Sequence, residues 1–129
     1  MIAVSYRLDH IALFVRDLDE AVDFLTRVLG LAEMPNPMGG TTIRWIEIGD
    51  GRRFHVQAGD TSRVHVEKQT HFALSADNLD AVLNRFRAEG IHFSDMRGTP
   101  GAVNTRPDGM RAVFVQDPTG YWFEINDQK

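Results

Sequence analysis

Ten residues in the second half of the chain, HFALSADNLD from His71 to Asp80, restate HIALFVRDLD from His10 to Asp19. At an offset of 61 and without a gap, His10 pairs with His71, Ala12 with Ala73, Leu13 with Leu74, Leu18 with Leu79 and Asp19 with Asp80. Each copy opens on a short β-rich run, passes through acidic or amide residues suited to capping a helix, and continues as a helical stretch that ends at glycine. The expected helices are about Leu18 to Leu29 and Leu79 to Glu89. Gly30 and Gly90 stand where a left-handed residue closes a helix, each followed by an apolar residue, Leu31 or Ile91.

Strand-like segments follow each helix: TTIRWIEIG and RRFHVQA in the first half, IHFSDM, RAVFVQD and YWFEIN in the second. Matching Gly51 to Gly120 needs an offset of 69, which pairs Phe54 with Phe123, His55 with Glu124 and Val56 with Ile125. The larger offset implies an eight-residue insertion in the second half, around Gly98 to Asp108. The polar stretch AGDTSRVHVEKQ, Ala58 to Gln69, is the segment most like a linker. The expectation is an α+β fold with two tandem β-α-β-β-β modules, about 5–58 and 69–127, within one domain of 129 residues.

Strand alternation sorts the side chains by face. His10, Ala12 and Phe14 point away from Ile11, Leu13 and Val15, and the second set is the one apolar enough to pack on a helix. His71, His55 and Glu124 likewise fall on the face opposite Phe72, Phe54 and Phe123, with Gln57 beside His55 and with Trp122 and Asn126 beside Glu124. Taken singly, each is an ordinary strand residue. Duplication changes that, because modules related by a pseudo-twofold axis are expected to bring His10 near His71 and His55 near Glu124. Imidazole and carboxylate are donors for borderline and harder divalent metals.

Composition removes other classes. A net charge of −4 argues against a nucleic-acid partner. The absence of cysteine excludes a thiolate site or nucleophile. No apolar run approaches the roughly 18 residues of a membrane span, and the start MIAVSYRLDH lacks a secretory pattern, so the expected setting is cytoplasmic. Arg106, beside the turn residues Pro107, Asp108 and Gly109 in the enlarged loop, is a candidate to hold an anionic substrate, and Arg44 and Arg97 share that possibility. Phe14, Trp45, Phe114 and Trp122 are candidates to line an apolar pocket, PNPMGGTT to form a loop over it, and His65 and His92 to be structural or surface residues.

DHIALFVRDLDEAVDFLTRVLGL (Asp9 to Leu31), HFALSADNLDAVLNRFRAEGI (His71 to Ile91) and the closing DPTGYWFEIN (Asp117 to Asn126) together resemble the vicinal oxygen chelate superfamily. That superfamily includes glyoxalase I, methylmalonyl-CoA epimerase, extradiol dioxygenases and bleomycin-resistance proteins. The resemblance implies a cup-shaped mixed sheet with helices on the outer face, around a divalent metal ion such as nickel, zinc, manganese or iron. By position it makes His10, His71 and Glu124 ligands. Where glyoxalase I has a second glutamate and the epimerase a glutamine, this chain has His55, as fourth ligand or neighbouring base. The implied activity is glyoxalase-like lyase or isomerase chemistry on a small-molecule substrate, with Glu124 or His55 moving a proton and Arg106, Trp122 and Phe14 touching the substrate. A ferrous ring-cleaving dioxygenase and a drug- or metabolite-sequestering protein are the alternatives. Two-module relatives imply a homodimer with sites between chains.

Overall fold

β1 (His10–Val15) runs into a helix over Leu18–Asp23, α1, because Asp17 supplies the capping oxygen: its Oδ1 accepts from the backbone N–H of Glu20 at 2.9 Å. The computed structural model describes residues 3–129. It forms two compact units, Met1–Arg63 and Val64–Lys129, which divide within the segment expected to be a linker.

The helix of the first unit does not stay α-helical to its expected end. From Phe24 to Val28 it widens into a π turn, in which the N–H of Leu29 reaches the carbonyl of Phe24 at 3.0 Å. Gly30 then turns at φ 76° and lets the N–H of Leu31 close on Leu25 at 3.0 Å. Strands β2 (Ala32–Met34), β3 (Ile43–Gly49) and β4 (Arg52–Ala58) complete the unit in the sheet order β1-β4-β3-β2. β1 lies parallel to β4, and the other neighbours are antiparallel. Along β1 the side chains alternate as expected, with Leu13 and Val15 buried and His10, Ala12 and Phe14 exposed. With Val22, Leu25, Ile46, Phe54 and Val56 they form the apolar core of this unit.

The second unit repeats the plan. β5 (His71–Ser75) leads to α2 (Leu79–Glu89), capped by Asn78 Oδ1 on the N–H of Ala81 at 3.0 Å and ended by Gly90 at φ 69°. The sheet order is β5-β8-β7-β6, with β6 at Asn104–Thr105, β7 at Arg111–Gln116 and β8 at Trp122–Asn126, and β5 is parallel to β8. Eight more residues separate Gly90 from Arg111 than Gly30 from Ile43, which is the expected insertion.

Two expectations need correction. IHFSDM is not a strand: only Ser94 bridges, to Pro100 and Phe114, and the edge strand is β6 inside the enlarged loop. Asp95 is the reason. Its side chain accepts from the N–H of Thr99 at 2.8 Å and its carbonyl from the N–H of Gly98 at 3.1 Å, so a turn takes the backbone groups that a ladder would have used. Conversely, β2 in the first unit, which the β-α-β-β-β plan requires, had no segment assigned to it, three residues being too short for alternation to show.

Phe54 and Phe123 hold corresponding places and are both 0% exposed. Replacing either with alanine is expected to remove about 3–5 kcal/mol of stability in urea unfolding. Tyr6→Ala, at a residue 92% exposed, should change stability by no more than about 0.5 kcal/mol. Equal losses at Tyr6 and Phe123 would contradict this account of the core.

Candidate functional site

In both units the last strand lies between the first strand and its antiparallel neighbour, so a residue in the middle of that strand is flanked on both sides. In the first unit this residue is His55, directly opposite Trp45 on β3 and Ala12 on β1. Its imidazole is stacked between two rings, His10 at a centroid distance of 3.9 Å and Trp45 at 4.3 Å, with planes within 11° and 8°. Arg53 covers Trp45 at 4.7 Å.

The imidazoles are not equivalent. His10 uses Nδ1 against the carboxylate of Asp9 at 2.7 Å, and since a carboxylate only accepts, the ring nitrogen is the donor. In the neutral ring Nε2 then carries the free lone pair. This hydrogen bond also holds the Asp9 carboxyl below its usual range, helped by the positive charge of Arg53. For His55, burial is the main cause that pushes its pKa below the ordinary imidazole value, and the charges of His10 and Arg53 add to it. Its Nε2 is buried and takes no hydrogen bond among the described residues.

In the second unit the flanked position holds Glu124, opposite Phe114 on β7 and Ala73 on β5. His71 Nε2 stands 3.7 Å from Glu124 Oε1. The other nitrogen, Nδ1, donates to the carbonyl of Lys68 at 2.8 Å, which again leaves Nε2 with the lone pair in the neutral ring. The far oxygen of Glu124 is also committed. Asn126 Oδ1 accepts from Ser75 Oγ at 2.9 Å and from the N–H of Gln128 at 3.1 Å, so its amide nitrogen must face Glu124 Oε2, which it reaches at 2.6 Å. Oε1 is left for another partner.

The expected site residues thus fall into two pairs, His10 with His55 and His71 with Glu124, on the faces predicted for them. Among the described residues no group of three or more His, Asp or Glu side chains forms a cluster able to hold a metal ion. The chemistry of each pair nevertheless suits one: three imidazoles and a carboxylate, three of them with the second donor atom tied back and the first left unused.

Arg106 belongs with the second pair. It lines a cleft of about 220 Å³ with His71, Glu124, Asn104, Met110 and Phe114, and its guanidinium is steadied by Asp108 at 2.6 Å. Trp122 is directly opposite His71 and lies under the ammonium of Lys68 at 4.7 Å. Phe14 shares the face of His10 and is 40% exposed, its ring lying over Gly59, where an added Cβ would meet it at 2.5 Å. Arg44 is committed elsewhere, to Glu33 at 2.7 Å and Asp19 at 2.9 Å. His65, 82% exposed in its side chain, pairs with Glu67, and His92 is exposed, as expected of surface residues.

Sequence reasoning missed Asp9, Lys68, Asn104, Met110 and Met96, the last of which also lines the cleft. Asp9 adjoins a candidate histidine and was findable on that ground. Lys68, Met96 and Met110 lie in irregular segments and Asn104 in a strand of two residues, where no periodicity says which way a side chain points.

The chain matches the family model described as Glyoxalase/Bleomycin resistance protein/Dioxygenase superfamily over residues 7–125. It is 30% identical over 132 residues to the lactoylglutathione lyase of Escherichia coli O157:H7, covering 95% of this chain and 93% of that one. It is 26% identical over 128 residues to the uncharacterized protein YwbC of Bacillus subtilis (strain 168), covering 95% and 98%. Among solved structures, Oxidase ChaP-H2 superposes with a TM-score of 0.72 at 22% identity, covering 98% of this chain and 96% of that one, a likeness of fold. With the duplicated fold and a family match across nearly its whole length, the chain belongs to the glyoxalase, bleomycin-resistance and dioxygenase superfamily.

Proposed function

We propose that this protein is a metal-dependent enzyme, a glyoxalase-like lyase or isomerase that transfers a proton on the carbon beside a metal-chelated carbonyl of a small substrate. One observation carries the reading: both units present a pair of donors on the face turned from the helix, and three of the four, His10, His71 and Glu124, are oriented by neighbours that occupy their other polar atom. The similarity to a lactoylglutathione lyase along nearly the full chain supports the reaction class. His10, His55, His71 and Glu124 would hold one divalent ion, nickel, zinc, manganese or iron, in a homodimer with sites between chains. Such an ion supplies a Lewis acid that polarises the substrate carbonyl and acidifies the adjacent C–H.

The chain's own groups do the rest. Glu124, with Oε2 fixed by Asn126, has Oε1 available to take the proton from one carbon and return it to the next. His55, whose burial disfavours the protonated ring, is the other candidate base. Arg106, fixed by Asp108 through one nitrogen, keeps further N–H groups for an anionic end of the substrate. Met110, Ala112 and Phe114 give the cleft the apolar wall that keeps water from the reacting carbon. Trp122 and Phe14 would contact the substrate body.

Elemental mass spectrometry of untagged protein should find about one divalent ion per chain, lost in His71→Ala and in Glu124→Ala. Wild-type protein that stays metal-free after incubation with each of the four ions would end the proposal. Loaded enzyme should exchange the hydrogen beside the carbonyl of hemithioacetals or 2-oxo acids for deuterium, as read by proton NMR. Oxygen uptake with iron in place of exchange would favour the dioxygenase, and tight binding with neither would favour sequestration.

The depressed His55 pKa has a definite sign. The folded state binds a proton at His55 less readily than the unfolded chain, so acid favours unfolding. This contribution to stability is intact above the ordinary imidazole value of about 6.5 and is lost as pH falls through the folded-state value. An NMR titration of metal-free protein should place the His55 midpoint below that of a free imidazole, and His55→Gln should weaken the acid sensitivity of unfolding. A midpoint above it would contradict the buried stack.

A further inference from the structure

We propose that Lys68 is a positioning residue, which holds the ring of His71 in the Nδ1–H tautomer and so turns its Nε2 lone pair toward Glu124. The consequence for metal binding rests on the function proposed above. The tautomer itself does not.

His71 depends on a carbonyl in an irregular segment. Residues 64–70 form no strand or helix, and the local backbone bond is a turn from the N–H of Thr70 to the carbonyl of Glu67 at 3.0 Å. Such a turn alone does not fix where the Lys68 carbonyl points. The Lys68 side chain supplies the second anchor. Its ammonium donates to the carbonyl of Asp95 at 2.7 Å and to Ser94 Oγ at 3.1 Å, and it stands 4.7 Å from the ring centre of Trp122 and 5.2 Å from that of Phe114. The anchors are rigid: Ser94 is 3% exposed and exchanges both backbone bonds with Phe114, at 3.1 and 2.8 Å. The other side-chain hydrogen bond of the segment, between His65 and Glu67, stays within it. Among the described residues, Lys68 is therefore the one side chain of 64–70 whose hydrogen bonds reach the body of the unit.

The link to His71 is direct. A carbonyl only accepts, so the 2.8 Å contact from Nδ1 to Lys68 O commits the single proton of the neutral ring to Nδ1. Remove the ammonium, and the carbonyl is free to swing with its turn. Nε2–H then competes, because a proton there faces Glu124 Oε1 at 3.7 Å. That alternative spends the ring's donor atom on a proton. An ordinary solvated lysine would have none of these effects, and burial pushes the Lys68 ammonium below its usual pKa, as its enclosure requires.

The test compares wild type with Lys68→Met, Lys68→Gln and Lys68→Arg, each checked for folding by circular dichroism. Long-range proton–nitrogen NMR of metal-free protein, at about pH 8.5 so that imidazoles are neutral, reports the His71 tautomer. Wild type should show Nδ1–H alone, Lys68→Met and Lys68→Gln a mixture or the Nε2–H form, and Lys68→Arg a return toward wild type. Zinc affinity, measured by competition with a coloured chelator, should fall about 10- to 100-fold in the first two and largely recover in the third. A pure Nδ1–H ring in folded Lys68→Met or Lys68→Gln, with affinity within about twofold of wild type, would overturn the proposal. A shifted tautomer in a protein that never binds zinc would uphold the positioning role and remove the metal reading instead.

Discussion

The parallel pairing of first and last strands decides the rest of this structure. β1 on β4 and β5 on β8 each require a long crossover, which here carries a helix and two strands, and each leaves the last strand in the interior of its sheet. A side chain at the middle of that strand has a neighbour on both sides and little solvent. His55 and Glu124 occupy this place, 69 residues apart in an otherwise matching register. The parallel ladder also brings His10 to His55 and His71 to Glu124 across long stretches of chain.

From that shared frame the two units diverge electrostatically. The first builds a stack of flat groups, His10, His55, Trp45 and Arg53, in which burial and nearby positive charge disfavour protonation of the central ring. The second builds a directed chain of hydrogen bonds, Ser75 to Asn126 and Asn126 to Glu124, that holds a carboxylate by one oxygen. The eight extra residues of the second unit fall where they add Asn104, Arg106 and Met110 beside that carboxylate. The corresponding loop of the first unit, Pro35 to Thr42, is drawn in by Asn36, which donates to the carbonyl of Ile43 at 2.9 Å. Insertion in one copy alone is a simple route from a duplicated scaffold to an asymmetric site.

Most of the fold was legible because its signals are local. Asp17 and Asn78 announce the helix starts, Gly30 and Gly90 the ends, and alternation along HIALFV and HFALS assigns the inner and outer faces. The reading failed where local signals compete. IHFSDM has strand composition, yet Asp95 captures backbone N–H groups for a turn. The π turn at Phe24–Val28 leaves the apolar spacing of a helix intact and so leaves no trace in periodicity. Of the candidate site, the four donors were legible from the repeat, and their supporting partners were mostly not. Lys68 reads as one more polar residue of a linker, and Arg44 as a free cation, until tertiary contacts show that both are committed.

By itself the sequence determined that there are two modules, where their helices begin and end, and which face of each strand carries histidine and glutamate. These follow from capping and from side-chain periodicity, which act over a few residues. Only the tertiary structure decided which atoms of those side chains are spent and which are left. That His71 and His10 keep Nε2, that Glu124 keeps Oε1 and that burial disfavours protonation of the His55 ring depend on groups far away in sequence or in irregular loops. A hydrogen bond is chosen by distance and direction in space, and no pattern along the chain encodes either.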